Sequence, residues 1–356
     1  MSAQDLKLID MAKLSRWLDQ HAPQLGDGPL KAEWVSGGST NVVIALDRGG
    51  PRTVLRSPPL AGSPQGLKTI EREATVLRAL KGTSVPHPKF HIYCADPDVI
   101  GVPFYIMEMV DGWAANMSEH DNQMHFPPGF DQGPDQHYLG YAMIDGLIEM
   151  ANVDYKAIGL ESFGKPEGFL GRQVDRWLGQ LATYPQRYSQ YQPRQLEGMD
   201  YVVDWLRANV PETSRPGLLH ADYAMNNVLF AHRPPARLVA IIDWEMATIG
   251  DPVIDLAGFA MHLRGDDPND VLWPYFDPER FPRRADALAY YAEKTGRDVS
   301  CIDYYIVLYR FRMACILEYK VAEAIQGLAP KAKGERFDGI VRRLMASACE
   351  RARSLG

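Results

Sequence analysis

Apolar positions recur at near-helical spacing over residues 4–20, where Leu6, Ile9, Leu14, Trp17 and Leu18 share one face. A break containing glycine and proline follows at 26–29. The period then shortens to that of strands. Trp34-Val35 leads into the turn Gly37-Gly38-Ser39-Thr40-Asn41, and Val42-Val43-Ile44-Ala45-Leu46 leads out of it. After a second turn at Asp47-Arg48-Gly49-Gly50, Thr53-Val54-Leu55-Arg56 is a third short strand. Pro58 to Gly66 reads as a loop. Residues 67–81 read as a helix, with Leu67, Ile70, Ala74 and Leu77 on one face and Gly82 and Pro86 ending it. Phe104-Tyr105-Ile106-Met107 is a further strand, followed by a connection over Glu108-Met109-Val110-Asp111-Gly112.

Beyond that connection the pattern changes. Residues 113–136 are irregular and rich in Asn, His, Pro and Gly. Mostly helical patterns run from about 137 to 210, short strands return near 218–219, 228–230 and 238–242, and helices resume from about 253 to the end. The chain therefore reads as a small β-rich N-terminal part with one helix, then a larger helical part interrupted by a β patch. No internal repeat and no low-complexity segment interrupts this order.

Composition narrows the class. The 356 residues are 46% hydrophobic and 23% charged, as in a soluble globular protein of two domains or lobes. The formal net charge of −7 gives no basic footprint for nucleic acid. Cys94, Cys301, Cys315 and Cys349 are scattered, which points to reduced thiols in a cytoplasmic protein and not to a zinc site or a disulfide framework. The first residues lack an apolar signal core, and no apolar run is long enough for a transmembrane helix, so no membrane partner is expected. Oligomeric state has no sequence signature here.

Candidate chemistry sits in the β patch. In LLHADYAMNNVLF, residues 218–230, a polar cluster of His220, Asp222 and Asn227 lies between two apolar runs; a turn rich in Asx residues is the plainer alternative. In LVAIIDWEMATIGDPVID, residues 238–255, five apolar residues run directly into Asp243. A carboxylate at the end of a buried strand is costly unless something pairs with it, and a bound cation is one solution. A strand–loop–strand return would place Asp222 and Asp243 at one edge. Asp251 and Asp255 look like loop and helix-start residues.

The segment His220-Ala221-Asp222 with Asn227, followed by Ile242-Asp243-Trp244-Glu245, resembles the aminoglycoside phosphotransferase and choline-kinase-like family. The phrases IEREATVLRAL, DPDVIGVPFYIMEMVDG and IIDWEMATIGDPVIDLAGF are similar to its branch related to the N-terminal domain of certain acyl-CoA dehydrogenases. The resemblance covers roughly residues 30 to 330. It implies an α+β, protein-kinase-like fold with an N-lobe over 1–108, a hinge at 109–113 and a helical C-lobe over 114–356. It also implies an ATP- and Mg²⁺-dependent kinase that phosphorylates a hydroxyl of a small molecule.

Carried over residue by residue, Asp222 resembles the catalytic aspartate, Asn227 a metal ligand in the catalytic loop, and Asp243 the aspartate that holds Mg²⁺. His220 would support that loop. Gly37, Gly38, Ser39, Thr40 and Asn41 would cover the phosphates, Arg56 would stand where the family often has lysine, and Glu73, ahead of Glu71, would be its helix partner. Glu108 to Val110 would contact adenine through the backbone. Ala221 replaces the family's usual glycine, which implies strain on the order of 1 kcal/mol if the position needs a positive φ.

Two other readings remain open on these residues. Ala221 and Arg56 suggest a nucleotide-binding module that does not catalyse. Asp222 and Asp243 with histidines suggest a metal-dependent hydrolase, although His232 and His262 are isolated. Specificity is expected from 113–136 and from the helices after 255. Arg310 and Arg312, within the aromatic stretch 304–320, are either receptors for an anionic substrate or the solvent edge of a core helix. Aminoglycoside-like and hydroxyacyl acceptors both fit the resemblance.

Overall fold

A computed structural model describes residues 9–35, 41–59, 64–118, 123–212, 215–265 and 275–356. The first helix, α1 (Met11–His21), starts seven residues later than the apolar period suggests. Asp10 sets the boundary: its carboxylate accepts the Lys13 backbone N–H at 2.9 Å, which satisfies one of the unpaired donors of a helix start. Leu14 and Leu18 are its buried face.

Five antiparallel strands form the N-terminal sheet in the order β1-β2-β3-β5-β4. These are β1 (Lys31–Trp34), β2 (Val42–Asp47), β3 (Thr53–Ser57), β4 (Phe90–Cys94) and β5 (Phe104–Glu108). The register pairs Ile44 with Leu55 and Leu55 with Ile106 across the centre. One face packs under α1 through Leu14, Leu18, Ile44, Leu55, Phe104 and Ile106. The helix α2 (Pro64–Ala79) buries Ile70, Ala74 and Leu77, together with Val54 and Tyr105 from the sheet, in the large core shared with the rest of the chain. Leu67, expected on that buried face, is exposed. Arg72 of α2 ties the helix to the C-terminal part by donating to the carbonyls of Ala247 at 3.0 Å and Phe163 at 3.2 Å.

The connection after β5 is joined to the C-terminal part by backbone pairing. Trp113 and Phe230 exchange N–H···O=C bonds of 2.9 and 2.8 Å. Gly112 permits that approach, since a Cβ there would meet the Phe230 carbonyl oxygen at 2.9 Å.

The rest is helical around two small antiparallel ladders. The helices are α3 (Gly133–Asn152), α4 (Gln173–Arg187), α5 (Met199–Ala208), α6 (Val253–Ala260), α7 (Arg284–Thr295), α8 (Ile302–Ile325) and α9 (Lys331–Leu355). One ladder pairs β6 (Gly217–Leu219) with β9 (Thr248–Gly250), the other β7 (Val228–Phe230) with β8 (Leu238–Ile241). The described residues from 113 to 132 are irregular, and α3 starts at Gly133, inside the stretch expected to be irregular. The described residues after 253 are mainly helical, and β4 and β9 add strands that the apolar pattern did not reveal. α8 and α9 lie against each other and close the core. Arg310 and Arg312 of α8 are buried, at 1% and 4% exposure, which overturns the solvent-edge reading. Among the described residues, no helix is long and apolar enough to cross a membrane. All four cysteines are free, and Cys301 alone of them is exposed.

Candidate active site

The two ladders bring the polar residues together. β6 ends at Leu219 and delivers His220, Ala221 and Asp222; a single helical turn then carries Asn227 into β7. β8 runs antiparallel to β7, and the Ile242 N–H donates to the Asn227 carbonyl at 2.9 Å. Asp243 therefore emerges beside Asn227, and the Asp243 charge is close enough to raise the Asp222 carboxyl.

Asp222 lies in a fixed frame. The Asn227 Nδ2 donates to its Oδ2 at 3.0 Å and to its backbone carbonyl at 2.9 Å. Burial pushes the Asp222 carboxyl above the ordinary aspartate range, while His220, Arg312 and the Asn227 bond oppose the shift. His220 is fully buried, and both its nitrogens are engaged by backbone. Its Nδ1 accepts the Asp222 N–H at 3.3 Å, so the proton sits on Nε2, which donates to the Ile242 carbonyl at 2.8 Å. His220 thereby links the loop that bears Asp222 to the strand that ends at Asp243.

Ala221 takes the left-handed conformation, φ +62°. Two groups hold it there. Its N–H donates to Asp255 Oδ1 at 3.0 Å, and its carbonyl accepts from Arg312 Nη2. Asp255 Oδ2 also receives the His220 N–H at 2.7 Å. Ala221→Gly should relieve the side-chain strain of about 1 kcal/mol, offset in part by the extra freedom glycine has when unfolded. The expected outcome in thermal unfolding is a rise in Tm of about 1–2 °C, with a fall in Tm as the contrary result.

Sequence reasoning missed Asp255 and Arg312 as parts of this frame. Asp255 is buried within the first turn of α6, and Arg312 lies 5.2 Å from the centre of the Trp177 ring. A helix apolar on all sides, as over 304–320, is a signal that its arginines are buried and need partners.

On the sheet side, Arg56 of β3 is the hub. Its Nε lies 2.9 Å from Glu73 Oε2 and its Nη2 3.1 Å from Glu73 Oε1. The same Nη2 reaches Asp243 Oδ1 at 2.5 Å and lies 3.9 Å from Glu245 Oε2. Tyr105 donates to Glu73 Oε2 at 2.7 Å. The carboxylates of Glu73, Asp243 and Glu245 approach within 4.8 Å of one another around this guanidinium. Burial works against the Arg56 charge, yet Glu73, Tyr105, Asp243 and Glu245 outweigh it and raise its pKa. Burial pushes Glu73 up to about 7, with Arg56 opposing. Glu71 is exposed and takes no part in this cluster, and Lys68 is likewise exposed.

The remaining predicted positions are spread more widely. Gly37, Gly38, Ser39 and Thr40 lie outside the described residues. Asn41 is buried, and its Nδ2 donates to Glu245 Oε2 at 3.2 Å. The Glu108 N–H is taken by the Lys89 carbonyl at 2.8 Å, and Val110 is half-buried on the connection that follows. His232 pairs with the exposed Asp111 at 3.0 Å, away from the carboxylates. His262 lies 5.1 Å from the Tyr275 ring, on the wall of a cavity of about 440 Å³ that opens on Asp222. Met124, Met225, Phe259, Met261, Tyr275 and Met313 are on that wall, and among the described residues Asp222 is the one acidic side chain that lines it.

The comparisons identify the family and the fold. Residues 31–291 match the model of the phosphotransferase enzyme family. The chain belongs to that family. It is 26% identical over 361 residues to chicken acyl-CoA dehydrogenase family member 11, an alignment that covers 98% of the chain and 44% of the relative. The chain thus spans less than half the length of that curated relative. A crystal structure of a Ralstonia eutropha protein, provisionally named an aminoglycoside phosphotransferase, superposes with a TM-score of 0.79 at 28% identity, covering 97% of this chain and 98% of the other. The ternary complex of aminoglycoside phosphotransferase APH(4)-Ia with AMP-PNP and hygromycin B shares the fold, with a TM-score of 0.58 at 13% identity over 94% of this chain and 98% of the other. The chain has the protein-kinase-like fold of this family, a five-stranded antiparallel N-terminal sheet followed by a mainly helical part.

Proposed function

We propose that the chain is an ATP- and Mg²⁺-dependent kinase whose acceptor is a hydroxyl on a small molecule with an apolar, acyl-like body. The observation that carries the reaction is the convergence of Asp222, Asn227 and Asp243 at the joined ends of β6, β7 and β8. The donor set suits the metal: a carboxylate at Asp243 and an amide oxygen at Asn227 are hard oxygen ligands of the kind Mg²⁺ takes beside substrate phosphates. The Asn227 Oδ1 accepts one bond from Asn226 at 3.0 Å and keeps a second lone pair.

Asp222 would accept the proton of the acceptor hydroxyl as its oxygen bonds to the γ-phosphorus and the bond from that phosphorus to the β-phosphate oxygen breaks, leaving ADP and a phosphate monoester. Asn227 orients the carboxylate through Nδ2, and His220 and Asp255 hold the loop backbone that bears it. Arg56 would face the phosphates, kept in place by Glu73. Bound Mg²⁺ supplies positive charge against the charge developing on the phosphoryl oxygens. Ala221 lends no support to a catalytically silent module, since the alanine adopts the positive φ that the position requires.

The acceptor class rests on the cavity beside Asp222. A polycationic aminoglycoside calls for several acidic partners, whereas the described residues of this wall are rich in methionine and aromatic side chains and include one carboxylate. A hydroxyacyl compound fits that lining, and the similarity to an acyl-CoA dehydrogenase family member points the same way. The test is a screen of hydroxyacyl-CoAs, hydroxylated metabolites and aminoglycosides with ATP and Mg²⁺, read by product mass and ADP release. Phosphorylated hydroxyacyl product with aminoglycosides untouched is expected. Transfer to aminoglycosides alone would overturn the acceptor class, and the lack of any phosphorylated product across the screen would count against the kinase itself.

A further inference from the structure

Another cavity, of about 20 Å³, lies against the loop that bears Asp222. The helix α4 contributes Gln173, Arg176 and Trp177 to its wall, α8 contributes Tyr309 and Arg312, and the loop contributes Ala221. Among the described residues, none of the lining side chains is acidic.

Two buried donors on this wall have no acceptor among the described residues: Arg312 Nε and Trp177 Nε1. Their residues are only 4% and 2% exposed. They are neighbours, since the guanidinium carbon of Arg312 lies 5.2 Å from the centre of the Trp177 ring. Arg312 Nη2 is committed elsewhere, to the Ala221 carbonyl. A buried donor left without an acceptor costs about 1–3 kcal/mol, and more when it is charged. Two of them on one small wall mark a place where an acceptor belongs.

The charges point the same way. The Arg176 guanidinium carbon stands 4.9 Å from the centre of the same Trp177 ring. Burial first, then the charges of Arg312 and Arg72, hold Arg176 below the ordinary arginine range. The acids that feel the Arg312 charge, Asp222 and Asp255, are engaged by other groups. Asp222 receives the Asn227 amide, and Asp255 receives the His220 and Ala221 N–H groups.

From this we infer a binding site for a single halide ion, chloride above all, held by Arg312 Nε and Trp177 Nε1 beside Arg176. A water-sized guest needs about 10–15 Å³, so this cavity admits one such body and is too small for a phosphate or a carboxylate. A water would accept both bonds but bring no charge to offset the guanidinium groups, whereas a halide does both. Because Arg312 holds the Ala221 carbonyl, the ion would brace the backbone next to Asp222. The site does not depend on the kinase reaction proposed above.

Thermal unfolding of the full chain tests it, in metal-free buffer without nucleotide, as sodium gluconate is exchanged for sodium chloride at fixed ionic strength. A saturable rise in Tm is expected, with bromide acting likewise. The half-saturating concentration should increase about tenfold or more in Trp177→Phe, which deletes one donor and keeps a ring, and in Arg176→Gln. Arg176 is exposed, so its replacement should leave the fold intact. Crystals soaked in bromide should show an anomalous peak in contact with Arg312 Nε and Trp177 Nε1. The inference is overturned if chloride and gluconate act alike, if either variant responds as the parent does, or if no bromide peak stands at these donors. A peak without the Tm response marks an adventitious ion only and overturns it as well. Because no turnover is measured, these outcomes are independent of the acceptor screen.

Discussion

Asp222→Asn is expected to lower kcat for phosphoryl transfer by about 10²–10⁴-fold, the usual span for a positioned proton acceptor. The replacement keeps the shape of the side chain and a polar neighbour for Asn227, whose amide now lies 3.0 Å from Asp222 Oδ2. Folding should not suffer. Burial already disfavours the Asp222 charge, so removing it leaves Tm equal to or above that of the parent. The check pairs an ADP-release assay on the acceptor found by the screen with thermal unfolding of the same preparation. Turnover within tenfold of the parent would exclude Asp222 as the group that takes the hydroxyl proton.

Arg56→Met should cost about 3–5 kcal/mol of stability, as removal of one partner from a buried pair does. The loss is large because Glu73 is fully buried and Asp243 and Glu245 lie within reach of the same guanidinium. In Arg56→Met/Glu73→Gln, a neutral amide still meets the Tyr105 hydroxyl, and most of the deficit should return. The pH dependence has a defined sign. Burial lifts Glu73 from its ordinary 4.5 to about 7 even with Arg56 present, and loss of Arg56 removes the opposing influence. Between those values the folded protein holds a proton that the unfolded chain has released, so this group's contribution to stability falls as pH rises. The penalty of Arg56→Met should therefore be smaller near pH 5 than near pH 8 in denaturant titrations. A penalty independent of pH would show that Glu73 does not bear the uncompensated charge.

Much of this arrangement could be seen in the chain before its structure. Asp222, Asn227 and Asp243 stood out because they interrupt apolar runs, and such interruptions carry over directly to strand ends. The Arg56–Glu73 pair was legible through the short strand and the helical period that surround it. The β4 strand was not, because Phe90–Cys94 is largely half-buried and lacks a sharp in–out alternation. At three residues, β9 is too short to show any period, and it exists by pairing with β6 across the fold. Asp255 was opaque for a different reason. An acid in the first turn of a helix is ordinary, and its bonds to His220 and Ala221 arise only because α6 packs behind their loop. The burial of Arg310 and Arg312 likewise depends on α9 and α4, which sequence spacing does not place.

Five of the side chains around the acceptor cavity are methionines: Met117, Met124, Met225, Met261 and Met313. Unbranched thioethers re-pack easily, so with the acyl-like acceptor proposed above this wall would mould itself to chains of differing length or branching with little loss of contact. Under the same proposal, acceptor binding would be sensitive to methionine oxidation. A sulfoxide on any of the five would put a polar, stiffer group where greasy contact is needed, and peroxide treatment should erode acceptor binding before it unfolds the protein, with a methionine sulfoxide reductase restoring it.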